Sequence, residues 1–298
     1  MLRLFLLIFL AQLSSSLAAD EKDPSLIEFT LTRISGPIYL LEGPDIRDKS
    51  LFNGGNIAVS LGKDGLLLVD SKIAPVGKNV LLALNRISKE KVRFLLNTHH
   101  HNDHVGGNAA LSDETTTLIA HDNVHRRLVK DKPEELWPIL TFSESLSLHL
   151  NGEEISVIHV PNGHTDSDVI VHFTQSNVVH MGDYLFSGMF PVIDLKSGGN
   201  VQRYLENTRK VLDDLPRDVK IIPGHGALAT WDDLQNNYRM LLETTNLIKQ
   251  KMQDSKSLEQ IKREGLPNKW ATWAWWRVPP EEWIETIYNS YSTIPDTE

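Results

Sequence analysis

Residues 97–107 read Asn97-Thr98-His99-His100-His101-Asn102-Asp103-His104-Val105-Gly106-Gly107, a set of side chains suited to binding metal. Alternate side chains of an extended segment face the same way, so His99 and His101 can reach one ion together. The chain then has to turn, which aims Asp103 and His104 at a neighbouring position. Imidazole and carboxylate suit zinc, and because the sequence has no cysteine, no ligand can be a thiolate. Gly106 and Gly107 leave room for a tight turn beside the cluster. His100 lies between two ligand candidates and is expected to point away from them.

A solubilising loop or an adventitious metal patch needs only two or three histidines and implies no partners elsewhere. Here three partners follow in order. His164 stands in Gly163-His164-Thr165-Asp166, Asp183 follows Gly182, and His225 stands in Pro223-Gly224-His225-Gly226. Each comes after a stretch that reads as a strand, and strand ends are where several elements can converge on one rim.

The elements that must position these residues begin with short β-rich segments at 27–34, 38–41, 57–61 and 65–69, punctuated by Gly43-Pro44-Asp45, Gly54-Gly55 and Lys63-Asp64-Gly65 as in a meander. A helix is expected near 76–89, with Val80, Leu81, Leu84 and Ile87 on one face, and a buried strand at 92–97 runs into the histidine cluster. Further strands are expected at 154–160, 168–173, 177–181 and 220–222. A helix is expected at 201–215, and a long one after Thr230, its N-cap. A tail rich in tryptophan (Trp270, Trp273, Trp275, Trp276, Trp283) ends in a helix at 280–288. Strands lead each half and helices follow without a linker, so one layered α/β (α+β) domain is expected over 20–298.

The order of these motifs, over roughly 36–238, resembles that of the metallo-β-lactamase superfamily. The resemblance implies a four-layer αββα sandwich with the site along one edge, between two sheets. Matched motif by motif, it implies that His99, His101 and His164 hold one metal. Asp103, His104 and His225 would hold a second, with Asp183 bridging the two. Asp70, which closes the strand 66–69, matches a position that orients a ligand histidine; an ordinary turn residue is the competing reading. Two divalent ions, Zn2+ by donor type, set about 3.5–4 Å apart share a water and lower its pKa from about 15.7 to about 7. Hydroxide rather than a side chain is then the nucleophile, and Asp103 orients it and carries its proton.

Other candidates rank lower. His121 and His125 have i, i+4 spacing on an expected helix, without a nearby carboxylate. His149, His159, His172 and His180 lie in strand-like stretches and are expected to be hydrogen-bonded or exposed. The tryptophan tail is read first as cover for a helix layer and second as a substrate platform. The segment 186–192 is a candidate for substrate contact, the loop 43–53 a candidate flap, and Tyr184 either an oxyanion donor or core.

The net charge of −9 argues against a polyphosphate partner, and no interior run is long and apolar enough to span a bilayer. A small-molecule substrate, no nucleic acid and no stable membrane anchor are expected. Residues 1–19 have a basic start, an apolar run from Leu4 to Leu13 and the small-residue pattern Ser16-Leu17-Ala18. They read as a secretory signal cleaved near Ala18 or Ala19, so a periplasmic or secreted protein is expected. Hydrolysis of an ester, thioester, lactone or cyclic amide is the leading function. A true β-lactamase is the alternative, weakened because two lactamase subclasses use a cysteine where this chain has none. Glutathione thioesters are mainly cytoplasmic, which disfavours that particular substrate for an exported enzyme. A metal-binding protein without turnover is the reading from another class.

Overall fold

The computed structural model describes residues 27–292; the expected secretory signal lies outside them. Four short strands, β1 (Thr30–Ser35), β2 (Ile38–Glu42), β3 (Ile57–Gly62) and β4 (Gly65–Val69), pair antiparallel as a meander. Beyond β4 the sheet turns parallel, adding β5 (Val92–Leu96), β6 (Thr117–His121) and β7 (Leu140–Phe142), so that seven strands lie in sequence order. A second sheet has six strands in the order β13-β12-β11-β10-β9-β8: β8 (Ser145–Leu150), β9 (Glu153–His159), β10 (Val169–Phe173), β11 (Val178–His180), β12 (Lys220–Ile222) and β13 (Ala229–Thr230).

The apolar run of β4 explains the layering. Leu67 and Val69 face the second sheet, packing into a core with Leu40, Leu96, Val157, Val171 and Phe173. Leu66 and Leu68 face the other way, onto Val80, Ala83 and Leu84 of α1 (Gly77–Leu84). A strand buried on both faces needs an unbroken apolar sequence, and each fully buried leucine or valine contributes about 1.5–3 kcal/mol. On the outer face of the second sheet, Val179 and Ile221 meet Tyr204 and Leu212 of α5 (Val201–Asp214), and Leu234, Leu241 and Ile248 of α6 (Trp231–Gln253). The result is helix, sheet, sheet, helix.

Thr230 caps α6 as expected and forms a reciprocal capping box with Asp233. Ser257 and Gln260 cap α7 (Leu258–Glu264) in the same way, a helix absent from the sequence expectation. The final helix, α8 (Pro280–Ser292), packs on α6 and α7. Three short helices lie near the N-terminal sheet: α2 (Asn102–Val105), α3 (Asn108–Leu111) and α4 (Asp122–Asp131). Strands β6 and β7 were not expected either, and β6 overturns the reading of His121. That residue ends the strand and only caps α4, so it does not share a helical face with His125. His121 stacks on His159 at 3.7 Å, and His125 Nδ1 donates to the Pro138 carbonyl. Among the described residues no helix is long and apolar enough to cross a membrane.

Candidate metal centre

Strands β5, β9, β11 and β12 deliver their C-terminal ends to one edge, and each is followed by part of the cluster. Asn97 to His104 follow β5, His164 follows β9, Asp183 follows β11 and His225 follows β12. The parallel pairing of β11 with β12 puts Asp183 and His225 at the same end of that sheet. A further grouping pairs His100 and His101 with Asp194, and among the seven candidate ligands themselves two groups of ligand atoms result. One comprises His99, His101, His164 and Asp183, the other Asp103, His104 and His225, with the ligand atoms of each group within 4.8 Å of one another. Asp183 faces both: Oδ2 is 3.3 Å from His164 Nε2 and 3.8 Å from His99 Nε2, while Oδ1 is 3.1 Å from His104 Nε2 and 3.4 Å from His225 Nε2. All seven residues named from the sequence therefore converge.

The outward nitrogens determine what the inward ones can be. His164 Nδ1 donates to the Val192 carbonyl at 2.7 Å, which can only accept, so its Nε2 is a lone pair. His101 Nε2 donates to Asp194 Oδ2 at 3.0 Å, leaving Nδ1 a lone pair. Thr98 Oγ1 gives its proton to Asp70 Oδ2 and receives one from His99 Nδ1 at 3.0 Å. His104 Nδ1 donates to the same Asp70 oxygen at 2.7 Å. The freed atoms then meet. His164 Nε2 lies 2.9 Å from His101 Nδ1 and 3.2 Å from His99 Nε2, and Asp183 Oδ1 is buried with no hydrogen bond. Acceptors at such distances repel unless a cation lies between them. The donor set fits divalent metal at both groups.

The electrostatics agree. Burial, reinforced by His104 nearby, holds His99 well below the ordinary imidazole range, and burial lowers His164 to about 4. Both rings are therefore neutral and ready to ligate. Burial also opposes charge on His104 and His225, but Asp183 together with Asp103 outweighs it and raises both, with Asp70 adding to the effect at His104. Desolvation would raise Asp183, yet His104, His225 and His164 hold it well below the usual carboxylate range. Negative potential gathers at the centre, where a divalent ion would neutralise it.

Two glycines are required by close approach. A Cβ on Gly224 would sit 2.2 Å from Asp183 Oδ1, and one on Gly55 2.3 Å from His104 Cε1. Gly55 is held in place by Lys72, whose fully buried ammonium donates to the Gly55 carbonyl and to Asn53 Oδ1, both at 2.8 Å. Burial lowers Lys72 to about 7.

Asp70 fulfils both readings made of it, as a strand-end residue in the left-handed region (φ 70°) and as the brace of His104. His100 points away from the centre, with Nδ1 3.0 Å from Ser167 Oγ. His180 is buried with Nε2 on the Asn56 carbonyl, whereas His172 Nε2 is buried without a partner, unlike the expectation. Tyr184 is core: its hydroxyl donates to the Val160 carbonyl and accepts from Asn207. Phe52, Phe186, Val192, Trp275 and Arg277 wall the cleft over the centre. Residues of the loop 43–53 line an adjoining cavity of about 290 Å³ that touches His225. Asp194, Lys72 and Arg277 were not singled out by sequence reasoning. Nothing local marks Asp194, which lies 93 residues from the histidine it orients.

Residues 52–225 match the family model described as the metallo-beta-lactamase superfamily. A hydroxyacylglutathione hydrolase of Polaromonas sp. is 28% identical over 173 residues, 57% of this chain and 60% of the relative, so the chain covers less than two thirds of that protein. A sec-alkylsulfatase from Pseudomonas sp. superposes with a TM-score of 0.69 at 14% identity, over 88% of this chain and 50% of that one. A metallo-beta-lactamase from Pontibacter korlensis superposes with a TM-score of 0.60 at 16% identity, over 72% and 99%. Both likenesses concern the fold.

Proposed function

The chain belongs to the metallo-β-lactamase superfamily, and on that premise we propose that it is an exported, two-zinc hydrolase of small esters, thioesters or lactones. The observation that carries this is the close approach of the inward nitrogens of His99, His101 and His164, 2.9 and 3.2 Å apart, beside the buried carboxylate of Asp183, which also faces His104 and His225. His99, His101 and His164 would hold the first ion, and Asp103, His104 and His225 the second, with Asp183 between the two groups. When bound, such ions supply a nucleophile at neutral pH and a Lewis acid for the scissile carbonyl.

The remaining work falls to the chain. Asp183 is buried and keeps its charge, which suits a shared ligand. Asp103 is the cluster carboxylate with greater access, its side chain 23% exposed, and it stands 3.3 Å from His225 Nε2. It is placed to orient the attacking oxygen and to pass its proton to the leaving group. Phe52, Phe186 and Trp275 shield the reacting carbonyl from bulk water.

The Polaromonas relative carries the name hydroxyacylglutathione hydrolase, which favours acyl transfer to water and raises the thioester within the class. Asp183 and the absence of cysteine support this reading over a β-lactam substrate. The apolar run and small-residue pattern at 1–19 support export.

Metal analysis of the mature protein should give close to two ions per chain. The zinc-loaded protein, assayed on nitrocefin, a homoserine lactone, an aryl ester and a thioester, should cleave one of the last three far faster than nitrocefin. A protein that binds no metal, or turns over none of the four, would sink the reading.

A further inference from the structure

Among the described residues, the wall of the cleft over the metal centre holds one arginine and no lysine, and that arginine has no partner in the fold. Arg277 is exposed and lines the same narrow space as His101, Asp103, His164, Asp183 and His225. Among the described residues no hydrogen bond, ion pair or ring contact engages its guanidinium. Nearby tail residues differ: Lys251 and Lys256 hold Glu264, Lys262 holds Glu285, and Lys269 holds Glu243. Each of those charges is satisfied within the fold. Arg277 alone of these five stands at the catalytic cleft, and its charge is satisfied by nothing in the fold.

Its neighbours are held firmly. The Trp275 indole donates to the Phe190 carbonyl at 3.0 Å, and the Trp276 indole donates to the Ile46 carbonyl at 2.7 Å. Trp276 also meets Phe52 edge-on at 5.8 Å, and Trp275 tilts against Phe186 at 6.0 Å. The backbone carrying Arg277 is thus tied to two other loops, and its side chain projects from a fixed aromatic platform. A planar guanidinium on such a base suits a carboxylate, which it can grip through two parallel hydrogen bonds.

We propose that Arg277 selects substrates that carry a carboxylate remote from the scissile acyl bond, with their apolar portion against Phe52, Phe186 and Trp275. The inference rests on the hydrolase reading above and adds the substrate's charge to it. Arg277 lies outside the 52–225 family match, so this selectivity belongs to the tail of this chain. In a protein of net charge −9, a local cation is also what allows an anionic substrate to approach the cleft.

The test compares p-nitrophenyl hydrogen glutarate with the neutral p-nitrophenyl valerate on zinc-loaded protein. The ratio of kcat/KM for the anionic ester to that for the neutral one should fall roughly tenfold or more in Arg277→Gln, mainly through KM. Arg277→Lys should restore part of the ratio, and Arg263→Gln, at an exposed tail cation away from the cleft, should leave it unchanged. Raising the salt should erode the preference. A ratio unchanged in Arg277→Gln overturns the proposal while the hydrolase reading stands. If neither ester turns over, the hydrolase reading is decided by the lactone and thioester assays above, and calorimetry with the anionic ester decides the inference. Binding weakened by Arg277→Gln supports it, and equal binding overturns it.

Discussion

His99, His101 and His164 each commit their outward nitrogen to a fixed partner, namely Thr98, Asp194 and the Val192 carbonyl. In the other group only His104 does so, through Asp70. His225 Nδ1 is buried without a partner, its ring resting against Phe186 at 5.0 Å and Phe52 at 6.4 Å, and Asp103 is part exposed. The first group is therefore pre-oriented by hydrogen bonds, while the second relies on ring stacking and one aspartate. Hydrogen bonds fix both the tautomer and the rotation of a ring, whereas stacking leaves the tautomer free. An ion at the second group should be the weaker bound and the faster to exchange.

The largest effect should come from removing the charge both groups share. Asp183→Asn should lower kcat/KM on an aryl ester by about 10²–10³-fold and reduce bound metal below two per chain, with circular dichroism unchanged. Metal analysis and steady-state kinetics check it, and near-normal turnover would mean that the groups do not share Asp183. Next comes Asp70→Asn, which keeps a residue type tolerant of the left-handed backbone but removes the negative charge and leaves one acceptor oxygen where Thr98 and His104 now use two. Affinity for the second ion should drop about 10–100-fold in a chelator competition, the first ion being less affected.

Asp194→Asn bears on the first group only. There it should cost roughly tenfold in affinity, because the amide still accepts from the His101 ring but without full charge. In the unsubstituted protein loaded with cobalt, a rising chelator concentration should strip one ion before the other, and loss of both in a single step would break the contrast. The smallest effect is expected away from both groups: Trp276→Phe removes the indole bond to Ile46 and should lower the stability of the protein by about 1 kcal/mol. Thermal unfolding measures that loss, and the metal content should remain at two.

The legible parts share a cause. His99 through His104 are close in sequence, so their spacing alone states which side chains can reach an ion together. The alternating commitments of β4 and the stripe of α5 are likewise local periodicities, and Thr230 with Asp233 is a capping pattern of four residues. Strand β6 was missed because its five residues run from an exposed turn straight into α4, without the glycine or proline that marked the other strands. The first turn of α7 carries a clear Ser257–Gln260 signal, but its short length gave little apolar periodicity to detect.

From its residues alone, the sequence determined the donors on offer: seven candidate nitrogen and oxygen ligands, no thiolate, and an order of motifs that places each after a strand. Ligand identity is a property of side-chain type, which folding cannot alter. Tertiary structure decided everything that depends on residues distant in the chain meeting in space. It gave His101 the carboxylate of Asp194, set Lys72 beneath Gly55, and left His225 Nδ1 unpaired. It also brought Trp275 and Arg277 from the far end of the chain to the cleft. No spacing rule reports such contacts, because they depend on how two sheets and their helical layers close on one another.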